Sequence, residues 1–445
     1  MHKVFALLLF SFSVFSQNET LFFSLDEAID YAHANNKMAL DSQSDIRMAE
    51  LQKWETTATG LPQINADISY NNWIEQQISL IPAEFFGGMP GDFIEVAFGT
   101  QQTVNGTVTL KQKLFDGSYL VALQASKVYL EISKNAKEKT LSELRKVVTN
   151  AYGSILLAEE NILILDANIE VLEKNIEELQ KVYENGLTEV ENIEQLQLTR
   201  AGLVSARNYN AVLKNLAYEM FNLTLGLNID TPVNLTDRME DLVVKVLLYP
   251  TETSNGNLEN NIDFKIALNN MRSNALLFKL EKSKALPTIN AFINGGYAGN
   301  SNRFNFLDRT QKWFGASLFG VNMSIPMFSS LGRSAATQKA KIALEKSERT
   351  LANTRQELEI KIKRAQNELA FAQQDLENKK QAQNLAKRIE EKNQIKFFEG
   401  LASSFELSQA QTQLYTAQKQ YMEAMLSVLN KHIALDVLLN PNPIN

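Results

Sequence analysis

Side chains able to carry out acid-base, nucleophilic or metal chemistry are few in this sequence. It contains no cysteine, and its only histidines are His2, His33 and His432. Catalytic nucleophiles and zinc sites need thiol or imidazole groups at defined spacings. The sequence has no such spacing, no glycine-rich phosphate loop and no nucleophile elbow. We therefore expect no catalytic residue, no metal site and no cofactor, and we predict that the protein is not an enzyme.

Length and composition narrow the class of protein further. The chain has 445 residues, of which 44% are hydrophobic and 21% charged, and its net charge is −7. A nucleic-acid partner is disfavoured because such proteins normally carry a basic excess. A helical transporter is disfavoured because it needs several apolar runs of about 20 residues, and none occurs after residue 16. By length alone we expect two or three globular domains.

The N-terminus has the pattern of a secretory signal peptide. Residues 1–16 carry Lys3 and then an apolar core that is too short to span a bilayer. The alternative is a buried N-terminal strand or helix. If the segment is a signal peptide, the mature chain begins near Gln17 and leaves the cytoplasm.

The sequence contains two copies of one plan. Three segments of the first half recur in the same order in the second half, at offsets of 225, 213 and 214 residues. The pairs are LPQINADISY at 61–70 with LPTINAFING at 286–295, KLFDGS at 113–118 with PMFSSLG at 326–332, and YENGLTEVENIEQLQ from Tyr183 with FFEGLASSFELSQAQ from Phe397. Such self-similarity indicates duplicated structural units.

Each copy is predicted to run helix, strand, long loop, strand, very long helix, tight turn, helix. The opening helix should start after Ser24, with Glu27 completing a capping box, and continue to about Thr57. The strands alternate apolar and polar residues, at about 63–72 and 102–113 in the first half and at about 287–297 and 313–326 in the second. Alternation describes any half-buried strand, so a soluble sandwich and a membrane barrel both remain open at this point.

The long helices indicate a coiled-coil arrangement. Apolar residues follow a strict 3-4 spacing over six heptads from Leu141 to Tyr183, a pattern typical of a helix packed along a seam. The helix should extend from Gly117 to Glu184, which corresponds to roughly 100 Å at 1.5 Å per residue.

The number of strands constrains the assembly. One chain supplies four alternating strands, whereas a closed membrane barrel needs at least eight, and an open sheet edge cannot face lipid. If the strands lie in a membrane, the protein must be an oligomer, most economically a trimer.

Taken together, these features resemble the TolC-like outer membrane efflux protein family over nearly the whole mature chain. The matching pieces are the opening LDEAIDYAHANN helix, LPQINADISY and LPTINAFING, KLFDGS and IPMFSSLGRS, and the paired turns ENGLT and EGLA. The resemblance implies an α+β membrane protein in which three chains form a 12-stranded outer-membrane β-barrel, continued by a 12-helix periplasmic α-barrel.

The same resemblance implies a function and a division of the chain. Family members are exit ducts of tripartite efflux pumps or type I secretion systems, and work as homotrimers in outer-membrane lipid with a periplasmic adaptor (membrane fusion) protein and an inner-membrane pump of RND, ABC or MFS type. The division is a signal peptide at 1–16, a first repeat at 17–225 with its turn at 185–188, an equatorial or linker segment at 226–260, a second repeat at 261–440 with its turn at 399–402, and a tail at 441–445.

By resemblance, two sets of residues at the periplasmic end acquire candidate roles. The positions that would contact the adaptor are Gly186, Leu187, Thr188, Gly400, Leu401 and Ala402. Glycine permits a tight helix reversal and an exposed leucine offers an apolar anchor, although the same residues would also serve simply to close a helical hairpin. The candidates for an acidic constriction are Glu390, Glu391, Glu177, Glu178 and Glu184, and the alternative for each is a solvated helix face.

Three other features have two interpretations each. The segment 226–260 is either a belt around the tunnel or a flexible linker. The apolar loop 81–92 either caps the outer mouth or binds a partner, or else packs on the barrel rim. Trp73 and Trp313 suit an aromatic girdle, whereas Trp54 is expected in a helical core. The alternative to a duct is a secreted or periplasmic coiled-coil protein that binds partners without forming a pore.

Overall fold

The computed structural model describes residues 20–248 and 258–439. The expected signal peptide at 1–16, the tail at 441–445 and positions 249–257 of the segment 226–260 lie outside the described residues. The chain divides into two compact units, which are described separately. The first unit comprises residues up to Ile46, Ser133–Ala267 and residues from Leu351 onward, and the second comprises Arg47–Ile132 and Leu268–Thr350.

Within the described residues, helices and strands follow the duplicated order. The helices are α1 Leu25–Asn35, α2 Lys37–Ala58, α3 Gly117–Glu184, α4 Val190–Leu225, α5 Met239–Leu248, α6 Ile262–Ser283, α7 Gly332–Phe398 and α8 Ser404–Leu439. The strands are β1 Leu21–Phe23, β2 Gln63–Asn72, β3 Ile78–Pro82, β4 Phe93–Ala97, β5 Gln102–Asp116, β6 Val233–Leu235, β7 Thr288–Ser301 and β8 Trp313–Ser324. No described helix combines the length and the apolarity that a membrane crossing requires.

The opening helix begins as predicted but is interrupted. Ser24 and Glu27 form both hydrogen bonds of the capping box. The prediction of one helix to about Thr57 was wrong, because Asn36 adopts an extended backbone with ψ of 136° and separates α1 from α2. The Asn36 side chain stabilises this break: its Nδ2 donates to the carbonyl of Thr224 at 2.7 Å, and its Oδ1 accepts from the N–H of Met38 at 2.8 Å.

The second unit contains an antiparallel sheet in the order β2-β5-β7-β8. The central pair β5 and β7 joins the two repeats, with Gly106 opposite Tyr297. Among the described residues, β2 and β8 each pair on one side only. Strands β3 and β4 form a separate hairpin between β2 and β5.

The two faces of this sheet differ in polarity. In β2, Ile64 and Ile68 lie on the apolar face and are 67% and 83% exposed. The register continues the apolar face across the sheet from Ile64 to Leu110, Ile293 and Phe319. The neighbouring row on the other face runs from Asn65 to Thr109, Asn294 and Leu318. One chain therefore presents an extended apolar surface that it does not cover itself.

The first unit is organised around a helical core. The largest fully buried side chains include Tyr152 of α3, Phe221 of α4 and Met425 of α8. The 3-4 spacing predicted for α3 places Leu144, Val148, Ile155, Leu165, Leu172 and Leu179 in buried positions. The predicted bounds of α3 and its seam are both observed, because a strict heptad repeat keeps one stripe of a helix against its partners.

The described part of segment 226–260 is folded. Strand β6 pairs in parallel with β1, and α5 packs against α8. Four apolar side chains of α5, Met239, Leu242, Val243 and Val246, are buried. Burial of this stripe fastens residues 233–248 to the helical core, so the flexible-linker alternative does not apply to them.

Candidate partner-binding site at the helix turns

The turn between α3 and α4 is closed by a glycine with a left-handed backbone. Gly186 has φ of 70°, and its N–H donates to the carbonyl of Tyr183 at 2.8 Å. The N–H of Leu187 reaches back to the carbonyl of Val182 at 3.1 Å. These two bonds form a Schellman motif, which satisfies carbonyl groups at the end of a helix and favours glycine at the left-handed position.

The turn between α7 and α8 repeats this geometry 214 residues later. Gly400 has φ of 75° and donates to the carbonyl of Phe397 at 3.0 Å. The N–H of Leu401 donates to the carbonyl of Lys396 at 2.7 Å. The sequence repeat therefore preserves the hydrogen-bond pattern of the turn as well as its residue types.

Each turn places a leucine in solvent. Leu187 is 78% exposed and Leu401 is 72% exposed. Thr188 and Ala402 are half-buried: the Oγ1 of Thr188 accepts from Asn192 at 3.1 Å, and Ala402 packs on a small core beneath the turns. Of the six predicted positions, the two Gly-Leu pairs thus form the accessible surface, whereas Thr188 and Ala402 support it.

The helices behind the two turns are fastened to each other. A core of six apolar side chains lies there: Leu172, Leu179, Ile193, Leu196, Phe397 and Leu407. Two polar contacts link the N-terminal parts of α4 and α8: Ser404 Oγ donates to Asn192 Oδ1 at 2.6 Å, and Thr199 Oγ1 lies 2.5 Å from Ser408 Oγ. Side chains from both repeats therefore stabilise the surface that carries Leu187 and Leu401.

The five candidate constriction residues divide into two groups. Glu177, Glu178, Glu184 and Glu391 are exposed. Glu390 is only 7% exposed, and burial, followed by the adjacent charge of Glu391, raises the pKa of its carboxyl group. A solvated helix face does not describe Glu390. Spacing offered a signal for this, because Glu390 lies four residues after buried Ala386 and seven before buried Phe397.

A series of asparagine side chains on α3, further from the turns than this core, was not predicted. Asn175 is buried and its Oδ1 accepts from Gln394 Nε2 at 3.0 Å. One heptad earlier, Asn168 Nδ2 donates to Gln418 Oε1 at 3.0 Å. Asn161, a further heptad back, is also buried. The seven-residue spacing of these asparagines beside the apolar seam was the available sequence signal, since polar residues at seam positions fix helix register.

Known proteins share this architecture. Residues 255–441 match the family described as outer membrane efflux protein. The resemblance of the sequence to the outer membrane efflux proteins is thereby confirmed. No curated protein sequence matches the chain significantly.

Solved outer membrane channels have the same fold as nearly the whole chain. The outer membrane protein VceC from Vibrio cholerae is 16% identical with a TM-score of 0.71, over 93% of this chain and 95% of its own. CusC is 16% identical with a TM-score of 0.76, over 94% and 93%. The CmeC outer membrane channel of Campylobacter jejuni is 15% identical with a TM-score of 0.70, over 94% and 85%.

The family match also bears on catalysis. The matched family is one of efflux proteins and not of enzymes, which supports the prediction that the protein is not an enzyme. Among the described residues, no group of three or more acidic or histidine side chains is arranged to hold a metal ion.

Two further expectations concern the second unit. In loop 81–92, Phe85, Phe86 and Met89 are 79%, 66% and 76% exposed, so these side chains do not pack on the sheet within the chain. Trp73 directly follows β2 and Trp313 is the first residue of β8, so both lie at strand ends, where an aromatic girdle would be found. The ring centroids of Trp313 and Phe306 are 6.4 Å apart.

The expectation for Trp54 was wrong. This side chain is 63% exposed, although it lies within the helix α2. Met48 and Leu51, which precede it at three-residue intervals, are also more than half exposed. Such spacing places all three on one side of the helix, and that side is not covered by the chain.

Proposed function

We propose that the protein is an outer-membrane channel that works as a trimer and conducts substrates passively out of the periplasm. Three chains would place their four-stranded sheets side by side into a 12-stranded barrel, and the long helices of the three chains would continue the conduit into the periplasm. The solved channels that share the fold, and the family of residues 255–441, support this proposal.

The observation that carries the proposal is the combination of two open sheet edges with an uncovered apolar face. An unpaired strand edge is not tolerated in lipid, so β2 of one copy must pair with β8 of the next copy if the apolar face lies in a membrane. Three four-stranded sheets give a barrel wide enough for an aqueous lumen, which two would not. The polar face, with Asn65, Thr109 and Asn294, would then line that lumen.

The partners follow from the proposed location. The exposed Leu187 and Leu401 would contact a periplasmic adaptor protein, and an inner-membrane pump of RND, ABC or MFS type would supply the cargo, in a tripartite efflux pump or a type I secretion system. The exposed Glu177, Glu178, Glu184 and Glu391 are proposed as the acidic lining of a constriction near this end. Export would use the signal peptide at 1–16.

Fractionation and light scattering test this function. We expect the protein in the outer-membrane fraction, extractable only with detergent, and a protein mass of three chains for the purified complex. A monomer that stays in solution without detergent would overturn the channel and favour a secreted coiled-coil protein.

A further inference from the structure

The polar face of the sheet, which carries Asn65, Thr109 and Asn294, is not uniformly polar. On β2 and β5 the register places only polar or charged side chains on this face, from Gln63 to Asn71 and from Thr103 to Lys111 at every second position. On β7 and β8 the same face also carries apolar side chains: Phe292, Ala298, Phe314, Ala316 and Leu318. An aqueous path has no need of such side chains, whereas a binding site does.

Two of these side chains form the walls of a notch on the polar face. Phe314 and Leu318 are 60% and 58% exposed, and they stand four residues apart on β8, which corresponds to roughly 14 Å. Between them the floor consists of Ala316 and, on β7, Gly296. The notch encloses about 250 Å³. Small-molecule pockets usually measure about 300–1,000 Å³, so this one has room for a ring system rather than for a large molecule.

The floor of the notch is kept free of a side chain by the backbone around Gly296. A Cβ built on Gly296 would lie 2.4 Å from the carbonyl oxygen of Gly106 and 3.0 Å from the Cα of Thr107. Any other residue would therefore force β5 and β7 apart. Glycine inside a strand often marks a place where a backbone or a ligand approaches closely. The notch is thus a consequence of how the two central strands pair.

The side of the notch that faces β5 is polar. Asn105 and Thr107 line it, together with Asn294 of β7. The Oδ1 of Asn294 is enclosed and accepts no hydrogen bond within the described residues. An enclosed acceptor without a partner is costly, so a donor group on a molecule in the notch would be favoured at this side. The notch therefore combines apolar walls with a hydrogen-bond acceptor.

Charges on the polar face favour a cation at the notch. The register places Asp67, an exposed residue, in the same row as Gly296 and two strands away, which corresponds to roughly 10 Å. Lys111 lies opposite Phe292, four residues along β7 from Gly296 and hence roughly 14 Å away. Lys113 is further still and is paired with an aspartate at 3.0 Å. The nearest charge is therefore negative.

We propose that the notch between Phe314 and Leu318 is a binding site for cargo in the lumen, and that it takes aromatic compounds of one or two fused rings that carry an ammonium group. The rings lie over Gly296 between the two apolar walls, and the ammonium group donates towards Asn294 and is attracted by Asp67. The face of Phe314 adds a cation–π contact for the same charge. This inference rests on the proposed function, because only in a channel does this face meet cargo.

Single-channel recording tests the site with 1-naphthylmethylammonium as the probe. Added to a planar bilayer that contains the channel, the probe should interrupt the current reversibly. Butylammonium, which has the charge without the rings, and 1-naphthalenesulfonate, which has the rings with the opposite charge, should each interrupt it at least tenfold less often at equal concentration. Equal interruption by all three compounds would contradict the proposed ligand class.

Variants of the notch locate the interruption. Phe314→Ser and Leu318→Ser remove the walls and Ala316→Leu fills the floor, so each should shorten the residence time of the probe about tenfold. Phe292→Ser is the matched control, because it removes an aromatic side chain from the same face outside the notch, and the residence time should not change. Asp67→Asn should shorten it about threefold.

The outcomes separate this site from the channel itself. If the natural protein conducts and the probe interrupts its current equally in the three notch variants, or does not interrupt it at all, the site is wrong and the channel stands. If no variant and no natural protein conducts, the proposed function is wrong and the site falls with it.

Discussion

The phenolic oxygen of Tyr152 on α3 lies 2.9 Å from Oδ2 of Asp237, the residue two positions before α5. The same hydroxyl lies 3.0 Å from the carbonyl of Phe23 and accepts from the N–H of Asp237 at 3.2 Å. Asp237 Oδ2 also accepts from the N–H of Leu25 at 2.7 Å. One buried hydroxyl therefore holds the ends of β1, α1 and α5 against the central helix.

Removing that hydroxyl should loosen the folded segment 233–248. Tyr152→Phe leaves the N–H of Asp237 without its partner and removes one of the two bonds to the carbonyl of Phe23. Losing a partner of this kind costs about 1–3 kcal/mol, and the midpoint of thermal unfolding should fall accordingly. Tyr218→Phe is the matched control, since its hydroxyl bonds the partly exposed Glu159 at 3.0 Å, and its effect should be smaller. Equal shifts for the two variants would refute the special role of Tyr152.

Glu390→Gln should stabilise the protein at neutral pH. Because the pKa of Glu390 is raised in the folded state, the fold disfavours the charged carboxylate, and stability is lost as pH rises through that pKa. The glutamine variant avoids this loss, so its advantage should be present at pH 7 and vanish below about pH 4.5, the ordinary pKa of the group. Urea unfolding at both pH values measures it.

The exposed neighbour supplies the control for this prediction. Glu391→Gln removes the charge beside Glu390 but leaves the buried carboxylate of Glu390 in place. Its stabilising effect at pH 7 should therefore be smaller than that of Glu390→Gln. A destabilised Glu390→Gln at pH 7 would mean that the hydrogen bond between the carboxylate and Gln411 outweighs the cost of burying the charge.

Acid should destabilise the helical unit through two histidines. Burial lowers the pKa of His33 and of His432, and the nearby Arg145 lowers both further. The unfolded chain therefore binds more protons than the folded chain as pH falls below about 6.5, so stability should decline from that pH toward the folded pKa values.

The double variant His33→Gln, His432→Gln isolates this effect. Its unfolding midpoint should change less than that of the natural protein between pH 7 and pH 5.5. A natural protein whose midpoint is constant over that interval would contradict the assignment.

The leucines of the helix turns should decide adaptor binding. The double variant Leu187→Asp, Leu401→Asp replaces the exposed apolar side chain of each Gly-Leu pair with a charged one. Site-specific cross-linking to an adaptor should therefore fall at least tenfold, while the trimer persists. Leu163→Asp is the control, because this leucine is exposed but lies 24 residues from Leu187 along the sequence. Undiminished cross-linking in the double variant would exclude the turns as the contact.

The parts of the fold that follow local rules were predictable. Some features produce a recognisable pattern within a few residues of the sequence: a glycine in a left-handed turn, a heptad seam and the alternation of a strand. The sequence therefore predicts the turns at Gly186 and Gly400, the bounds of α3 and the two faces of the sheet. The 214-residue repeat strengthens each of these interpretations, because both halves have to satisfy the same pattern.

The remaining features depend on contacts between distant segments. The break at Asn36 is stabilised by a carbonyl 188 residues away, at Thr224. Trp54 was assigned to a core because it is large and apolar, but a face that a second copy would cover gives the same pattern as a core face. A single sequence does not distinguish those two cases.

The channel is tested most directly by its two sheet faces. Ser69 and Ile68 are neighbours on β2 and lie on opposite faces, polar and apolar. Ser69→Cys and Ile68→Cys can be compared in a chain that is otherwise free of cysteine, by recording single-channel conductance in a planar bilayer before and after a charged thiol reagent is added. We predict a stepwise change in conductance for Ser69→Cys and none for Ile68→Cys. No conductance in any variant, or an equal response at both positions, would contradict a barrel with a polar lumen.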